Sequence, residues 1–173
     1  AIQAYSGRPG INLIFHDAVR PLVTDRIIRD TIQALATHRA VDVAVPAVDT
    51  IISTEGDFIH AIPDRSKLKR GQTPQGFRLE VIEKAYQLAL QDPAFKSTDD
   101  CGVVLKYLPE EKIFVVKGEE SNMKLTYKED TYLLDKLFQL HSFSMQGQVV
   151  DFENLRNKVL VIFGGSYGIG AEI

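Results

Sequence analysis

The 173-residue chain has a single cysteine, Cys101. One thiol excludes an internal disulfide and any multi-cysteine zinc site, and it fits a reducing, cytoplasmic setting. No apolar run approaches the ~20 residues that a membrane-spanning helix needs, so a membrane is not an expected partner. Positive charge is not in excess. The 20 Lys and Arg residues face 23 Asp and Glu, for a net charge of −3. That balance argues against a nucleic-acid coat, although a local basic patch could still hold phosphates. There is no initiator Met, and Ala1-Ile2-Gln3-Ala4 carries no signal-peptide pattern. The expectation is a piece of something longer. What is present is globular in kind: 45% hydrophobic and 25% charged residues, enough for one domain with a buried core.

Apolar periodicity supplies the elements. Ile11 to Phe15 and Val41 to Pro46 read as buried strands. Thr24 can cap a helix that shows Ile28, Ile32, Leu35 and Ala36 at helical spacing. Thr50–Ser53 and Phe58–Ile62 flank Glu55-Gly56-Asp57, the signal of a hairpin arm. Residues 63–77 are polar, basic and without periodicity, so a long loop is expected there. Further helices follow at Ile82–Ala89, after the cap signature Thr98-Asp99-Asp100, and over Lys128–Leu140 with Leu133, Leu134, Leu137 and Phe138 on one side. Ile113 to Val116 is a strand. Alternating β and α elements up to about His141 predict an α/β domain with a largely parallel sheet. The pattern fades over 142–157. Lys158 to Phe163 then reads as a new strand expected to run into Gly164-Gly165-Ser166-Tyr167-Gly168-Ile169-Gly170.

Several of these residues carry chemistry. Asp17, at the C-terminal end of a strand, sits where open α/β sheets bind ligands. With Arg20 three residues on, it could hold a divalent cation while the guanidinium meets a phosphate, or the two could simply pair with each other. Arg65, Lys67, Lys69 and Arg70 place four cations in six residues, either an anion site or a solvated basic loop. Thr98 can cap a helix and face a ligand. Lys124 could reach a phosphate. Gly164, Gly168 and Gly170 after a strand form a dinucleotide-type loop, whose backbone can approach a pyrophosphate.

The segments His16-Asp17-Ala18-Val19-Arg20-Pro21, Asp49-Thr50, Asp64-Arg65, Gln72-Thr73-Pro74-Gln75-Gly76-Phe77, Thr98-Asp99-Asp100 and Asn122-Met123-Lys124-Leu125-Thr126 stand in one order. In that order they resemble the sugar- and polyol-phosphate cytidylyltransferases, over about residues 1–141. The tail from Lys158 resembles the opening of a short-chain dehydrogenase/reductase, with Phe163 where that family usually has Thr. The resemblance implies a Rossmann-like nucleotidyltransferase sheet with a β-arm over 1–141, a linker over 142–157, and the first strand and glycine loop of a second Rossmann domain over 158–173. It also implies that the glycine-rich nucleotide loop, with an Arg and a Lys for the triphosphate, lies upstream of Ala1.

Site roles follow residue by residue from the resemblance. Arg65 and Lys124 would hold the acceptor's phosphate for attack on the α-phosphorus of CTP. Asp17 would bind Mg2+ and nucleotide phosphates, and Ala18 and Arg20 would lie against the nucleotide. Thr50, Thr73 and Thr98 would hydrogen-bond the polyol or its phosphate. Gly164, Gly168 and Gly170 would cradle NADPH. A cytidylyltransferase followed by a reductase resembles the arrangement that makes ribitol 5-phosphate from ribulose 5-phosphate and joins it to CMP, giving CDP-ribitol for surface polymers. The nearest rival is methylerythritol 4-phosphate as acceptor, in isoprenoid synthesis. From other classes stand an NAD(P)-dependent oxidoreductase fragment and a non-catalytic binding domain. A homodimer is implied, in which the arm crosses to its neighbour.

Overall fold

Nearly every residue of A-V-D-V-A-V is shielded on both sides, with Ala40, Val41 and Val43 fully buried and Ala44 and Val45 almost so. A strand buried on both faces belongs at the centre of a sheet covered by helices. The computed structural model describes residues 2–97 and 99–144, with side chains described through 140, and there this strand is β2 (Ala40–Pro46). Around it lie α1 (Ile2–Tyr5), β1 (Asn12–Phe15), α2 (Asp25–Thr37), β3 (Ser53–Glu55), β4 (Phe58–Ala61), β5 (Lys69–Arg78), α3 (Leu79–Ala89), α4 (Asp100–Tyr107), β6 (Ile113–Lys117) and α5 (Asp130–Ser144).

The described strands form a four-stranded sheet in the order β1-β5-β2-β6 and a separate β3-β4 hairpin. This corrects two expectations. Residues 63–77 are not a loop: after a 3-10 turn over Arg65–Lys67, they enter β5. Because β5 runs antiparallel to both β1 and β2, only the β2–β6 pairing is parallel. The polar residues of Q-T-P-Q hide the strand from a reading of hydrophobic alternation. Their side chains are buried or half-buried, and their polar groups are met by hydrogen bonds rather than by water.

The sheet separates two apolar layers. On one side Leu13, Phe15 and Phe77 meet Val81, Ile82 and Ala85 of α3 and Val103 and Val104 of α4. On the other, Val41, Val43 and Val116 meet Ile27 and Leu35 of α2. Burying each such Ile, Leu or Val stabilises the fold by about 1.5–3 kcal/mol. Thr24 caps α2 as expected, accepting from the Ile27 amide. The inward stripe, however, is Ile27, Thr31 and Leu35, while Ile32 is exposed. The buried Thr31 hydroxyl donates to the Ile27 carbonyl at 2.8 Å, which lets a polar residue occupy the inner face. In α4 the cap is Asp99, whose side chain accepts from the Gly102 amide. Thr98 lies outside the described residues, as do 145–157 of the expected linker and the tail with Gly164, Gly168 and Gly170. On α5, Leu134 is buried but Leu133 and Phe138 are exposed, so the expected apolar side is only partly covered.

One irregularity in the sheet shapes the site. Val41 pairs with Gly76, yet Val43 pairs with Gln72. The strand β5 therefore carries extra residues opposite Asp42, and a bulge of this kind re-aims side chains. Here it turns Thr73 toward the end of β1 and Gln75 toward Asp42.

Candidate active site

The chain leaving β1 turns tightly, with the Arg20 amide donating to the Asp17 carbonyl at 2.9 Å. That turn presents Asp17 and Arg20 on one side, joined by a 3.4 Å ion pair. A second cation arrives from the loop after β6: Lys124 Nζ lies 3.2 Å from the same Asp17 Oδ2. Arg20, half-buried, also donates through Nη1 to the Asn122 carbonyl at 2.9 Å. Burial lowers the Arg20 pKa, and the neighbouring Asp17 opposes that shift.

His16 and Thr73 tie the turn to the sheet. The Asp17 amide donates to Thr73 Oγ1 at 3.0 Å. Thr73 Oγ1 lies 2.9 Å from His16 Nδ1, and His16 Nε2 lies 3.1 Å from the Arg20 carbonyl. A carbonyl can only accept, so Nε2 carries the hydrogen of the neutral ring and Nδ1 accepts from the Thr73 hydroxyl. Burial lowers the His16 pKa, which favours this neutral form.

Deeper in, the Gln75 amide donates to both Asp42 Oδ1 and Asp99 Oδ2, each at 3.0 Å. Burial raises the Asp42 pKa, and the nearby Asp99 carboxylate adds to the rise. Asp100 is likewise raised by burial, opposed by the Tyr86 hydroxyl donating to it at 2.6 Å. Cys101 is buried and its thiol is pushed up by desolvation, which makes it a packing residue rather than a nucleophile.

One cleft of about 900 Å³ is lined by Asp17, Arg20, Thr73 and Lys124 together with Tyr86, Asp99 and Asp100. Of the residues singled out in the sequence, Asp17, Arg20, Thr73 and Lys124 therefore converge. Ala18, Thr50 and Arg65 do not line it. Arg65 instead donates through Nη1 to the Val48 carbonyl at 2.8 Å, at the root of the arm. His16, Asp42, Gln72 and Asn122 took no role in the sequence reading. Asp42 had a visible signal, a lone carboxylate inside an apolar strand. Asn122 had only its place at the head of the segment Asn122-Met123-Lys124-Leu125-Thr126, with nothing to mark its side chain as buried.

A mixed sheet that gathers an acid and two cations over a cleft at the strand ends is the frame of a nucleotidyltransferase. A solved 4-diphosphocytidyl-2C-methyl-D-erythritol synthase from Anaerococcus prevotii has this fold, with a TM-score of 0.68 and 33% identity over 74% of this chain and 58% of that one. The family model described as IspD, 2-C-methyl-D-erythritol 4-phosphate cytidylyltransferase, matches residues 1–139, and the chain belongs to that cytidylyltransferase family. Among curated relatives, the bifunctional ribulose 5-phosphate reductase/CDP-ribitol pyrophosphorylase of Haemophilus influenzae is 45% identical over all of this chain and 38% of its own length. The 2-C-methyl-D-erythritol 4-phosphate cytidylyltransferase of Thermobifida fusca is 49% identical over 73% of this chain and 53% of its own length. The chain thus spans from under two-fifths to about half the length of these relatives.

Proposed function

We propose that the chain forms the acceptor side of an enzyme that transfers CMP from CTP to ribitol 5-phosphate, releasing pyrophosphate, in a protein that also carries an NADPH-dependent ribulose 5-phosphate reductase. The observation behind the transfer chemistry is the meeting of Lys124, Arg20 and Asp17 over one cleft. An oxygen of the acceptor phosphate attacks the α-phosphorus of CTP. The new P–O bond forms as the α–β bridge breaks, and pyrophosphate leaves with that electron pair. The attacking oxygen is already anionic near neutral pH, with a second phosphate pKa of about 6, so no side chain need act as general base. The difficulty is repulsion between anions, and fixed cations in a shielded cleft reduce it. Lys124 would hold the acceptor phosphate, and Arg20 would lie against the nucleotide.

Asp17 keeps both cations aimed inward. It would also contribute a carboxylate to a bound Mg2+; among the described residues no three His, Cys, Asp or Glu gather as a metal cage. One carboxylate supplemented by substrate phosphates suits magnesium. Such an ion would supply charge neutralisation to the phosphates.

The choice of ribitol rests on the H. influenzae relative, which aligns through the tail as well as the cytidylyltransferase part. Methylerythritol 4-phosphate is the second reading, favoured by the family model and the T. fusca relative. Pyrophosphate release by the full-length protein, offered CTP with each acceptor in turn, decides between them. Faster release with ribitol 5-phosphate is expected, and preference for methylerythritol 4-phosphate would overturn the choice.

The arm supports a homodimer. Residues 48–67 are all exposed, including Phe58 at 81% and Ile59 and Ile62 near 60%. Exposed apolar side chains on a β-arm mark a contact surface. Arg65 stands at that arm, outside its own chain's cleft, so its route to an acceptor phosphate is in the neighbouring subunit. Thr50 stands with it.

A further inference from the structure

We propose that Asn122 is a positioning residue of this site, which from a fully buried seat locks Arg20, strand β5 and the Lys124 loop into one arrangement. The inference builds on the transfer reading above. Asn122 has no exposed surface. Its backbone carbonyl accepts from Arg20 Nη1 at 2.9 Å. Its Nδ2 donates to the Thr73 carbonyl at 2.8 Å and to Gln72 Oε1 at 3.3 Å. Gln72 in turn donates to the Glu119 carbonyl at 2.8 Å, and the Leu125 amide donates to the Val19 carbonyl at 2.8 Å. The chain before and after Lys124 is thus tied, through Asn122 and Leu125, to the turn that carries Asp17 and Arg20.

Both Nδ2 partners are acceptors, so the orientation of the amide is set by its surroundings. That orientation leaves Asn122 Oδ1 buried with no donor among the described residues. A buried acceptor without a partner is a cost to folding. What the amide supplies in exchange is its two donations, which hold the start of the Lys124 loop against β5 and so set where the Asn122 carbonyl meets Arg20.

Replacing Asn122 does not remove Lys124 or Arg20. Their long side chains can still find a bound anion, but they lose the shared in-line geometry. Misplacement of about 1 Å costs a reaction on the order of 100-fold. The expected effect of Asn122→Ala in the full-length protein is therefore a kcat lowered about 100-fold with acceptor KM changed by less than about threefold. In a Lys124→Ala background the same substitution is expected to cost much less than in the wild type, because the share of its effect that runs through the Lys124 loop is already gone and only the share through Arg20 and β5 remains. Asn122→Asp preserves the shape and deletes both donations, and it replaces Asn122→Ala if the alanine variant fails to fold.

Undiminished kcat in either variant would overturn the proposal. So would a loss of equal size in the presence and absence of Lys124, since that marks a general structural defect. Wild-type protein inert toward CTP with both acceptors would sink the transfer reading itself, and this proposal with it. Wild-type turnover matched by the Asn122 variants would sink the proposal alone.

Discussion

The cleft and the arm treat charge in opposite ways. In the cleft, each charged group has partners: Asp17 meets two cations, Arg20 reaches a backbone carbonyl, and Gln75 separates two carboxylates. On the arm and its root, residues 48–67 are exposed throughout, and the Arg65 guanidinium donates to the chain's own backbone at Val48. The basic run in the sequence is densest beside the arm, yet the built site lies elsewhere. A charge surrounded by water is worth little until something desolvates it. The cleft does this for Arg20 within one chain, whereas the arm needs a second surface.

The sharpest way to break that contrast is to disable one region in each of two subunits. Lys124→Ala and Arg65→Ala are each expected to lower turnover of the full-length protein by orders of magnitude, read as pyrophosphate release. If the arm serves the neighbouring cleft, mixing the two inactive proteins under conditions of subunit exchange gives heterodimers with one intact site in two. Random pairing then returns about a quarter of wild-type activity. No recovery on mixing would place both cations in one chain's site or deny Arg65 a role. A full rate in Arg65→Ala would remove the arm from the chemistry altogether.

A smaller effect separates the regions by packing. A Cβ placed on Gly118 would lie 2.3 Å from Gln72 Oε1 and 3.1 Å from Val43 Cγ1. Gly118 thus lets the loop that carries Asn122 and Lys124 press against β5. Gly118→Ala is expected to destabilise the fold by about 1–3 kcal/mol through overpacking and to lower activity as the loop moves off. On the arm, Gly56 has φ of 57° but nothing within 4 Å of an added Cβ, so Gly56→Ala carries only a backbone penalty of about 1 kcal/mol. Thermal unfolding of the two variants checks the order, and a Gly118 variant as stable as wild type would refute the tight approach.

What sequence could show follows from the same contrast. Hydrophobic spacing located β1, β2, α3 and β6 because apolar burial leaves a periodic trace, whereas the exposed arm was located by its turn residues Glu55-Gly56-Asp57. It missed β5, whose buried Gln72 and Gln75 are satisfied by side-chain hydrogen bonds, and it shifted the inner face of α2 because Thr31 is buried while Ile32 is not. Asp17, Arg20, Thr73 and Lys124 were legible as residues that resemble a family's motifs. Their convergence was not, since it depends on a bulge opposite Asp42 and on Asn122, whose contacts join positions about 50 and 100 residues apart. Arg65 was legible as a candidate, but its distance from its own cleft is a fact of three-dimensional placement.

The smallest expected effect concerns Asp42, which strand β2, behind the cleft-lining Gln75, holds in a low-dielectric setting that the arm nowhere imposes. Its folded-state pKa is raised, with burial as the leading cause. The folded chain therefore binds a proton more readily than the unfolded chain does. The contribution of Asp42 to stability is present in acid and is lost as pH rises through the folded-state pKa. Asn at this position keeps an Oδ1 for the Gln75 amide and the Val43 amide, both of which the carboxylate accepts now. Asp42→Asn is expected to raise the unfolding temperature at pH 7 by a degree or two, on the order of a few tenths of a kcal/mol, and to have no effect near pH 3. His16 tilts the profile the other way: its lowered pKa, again chiefly from burial, makes the fold lose stability as pH falls below 6.5. The two slopes are separable, because Asp42→Asn removes only the loss on the alkaline side. A variant destabilised at pH 7 would mean that the charged carboxylate, drawn by Arg20, contributes more than its desolvation costs.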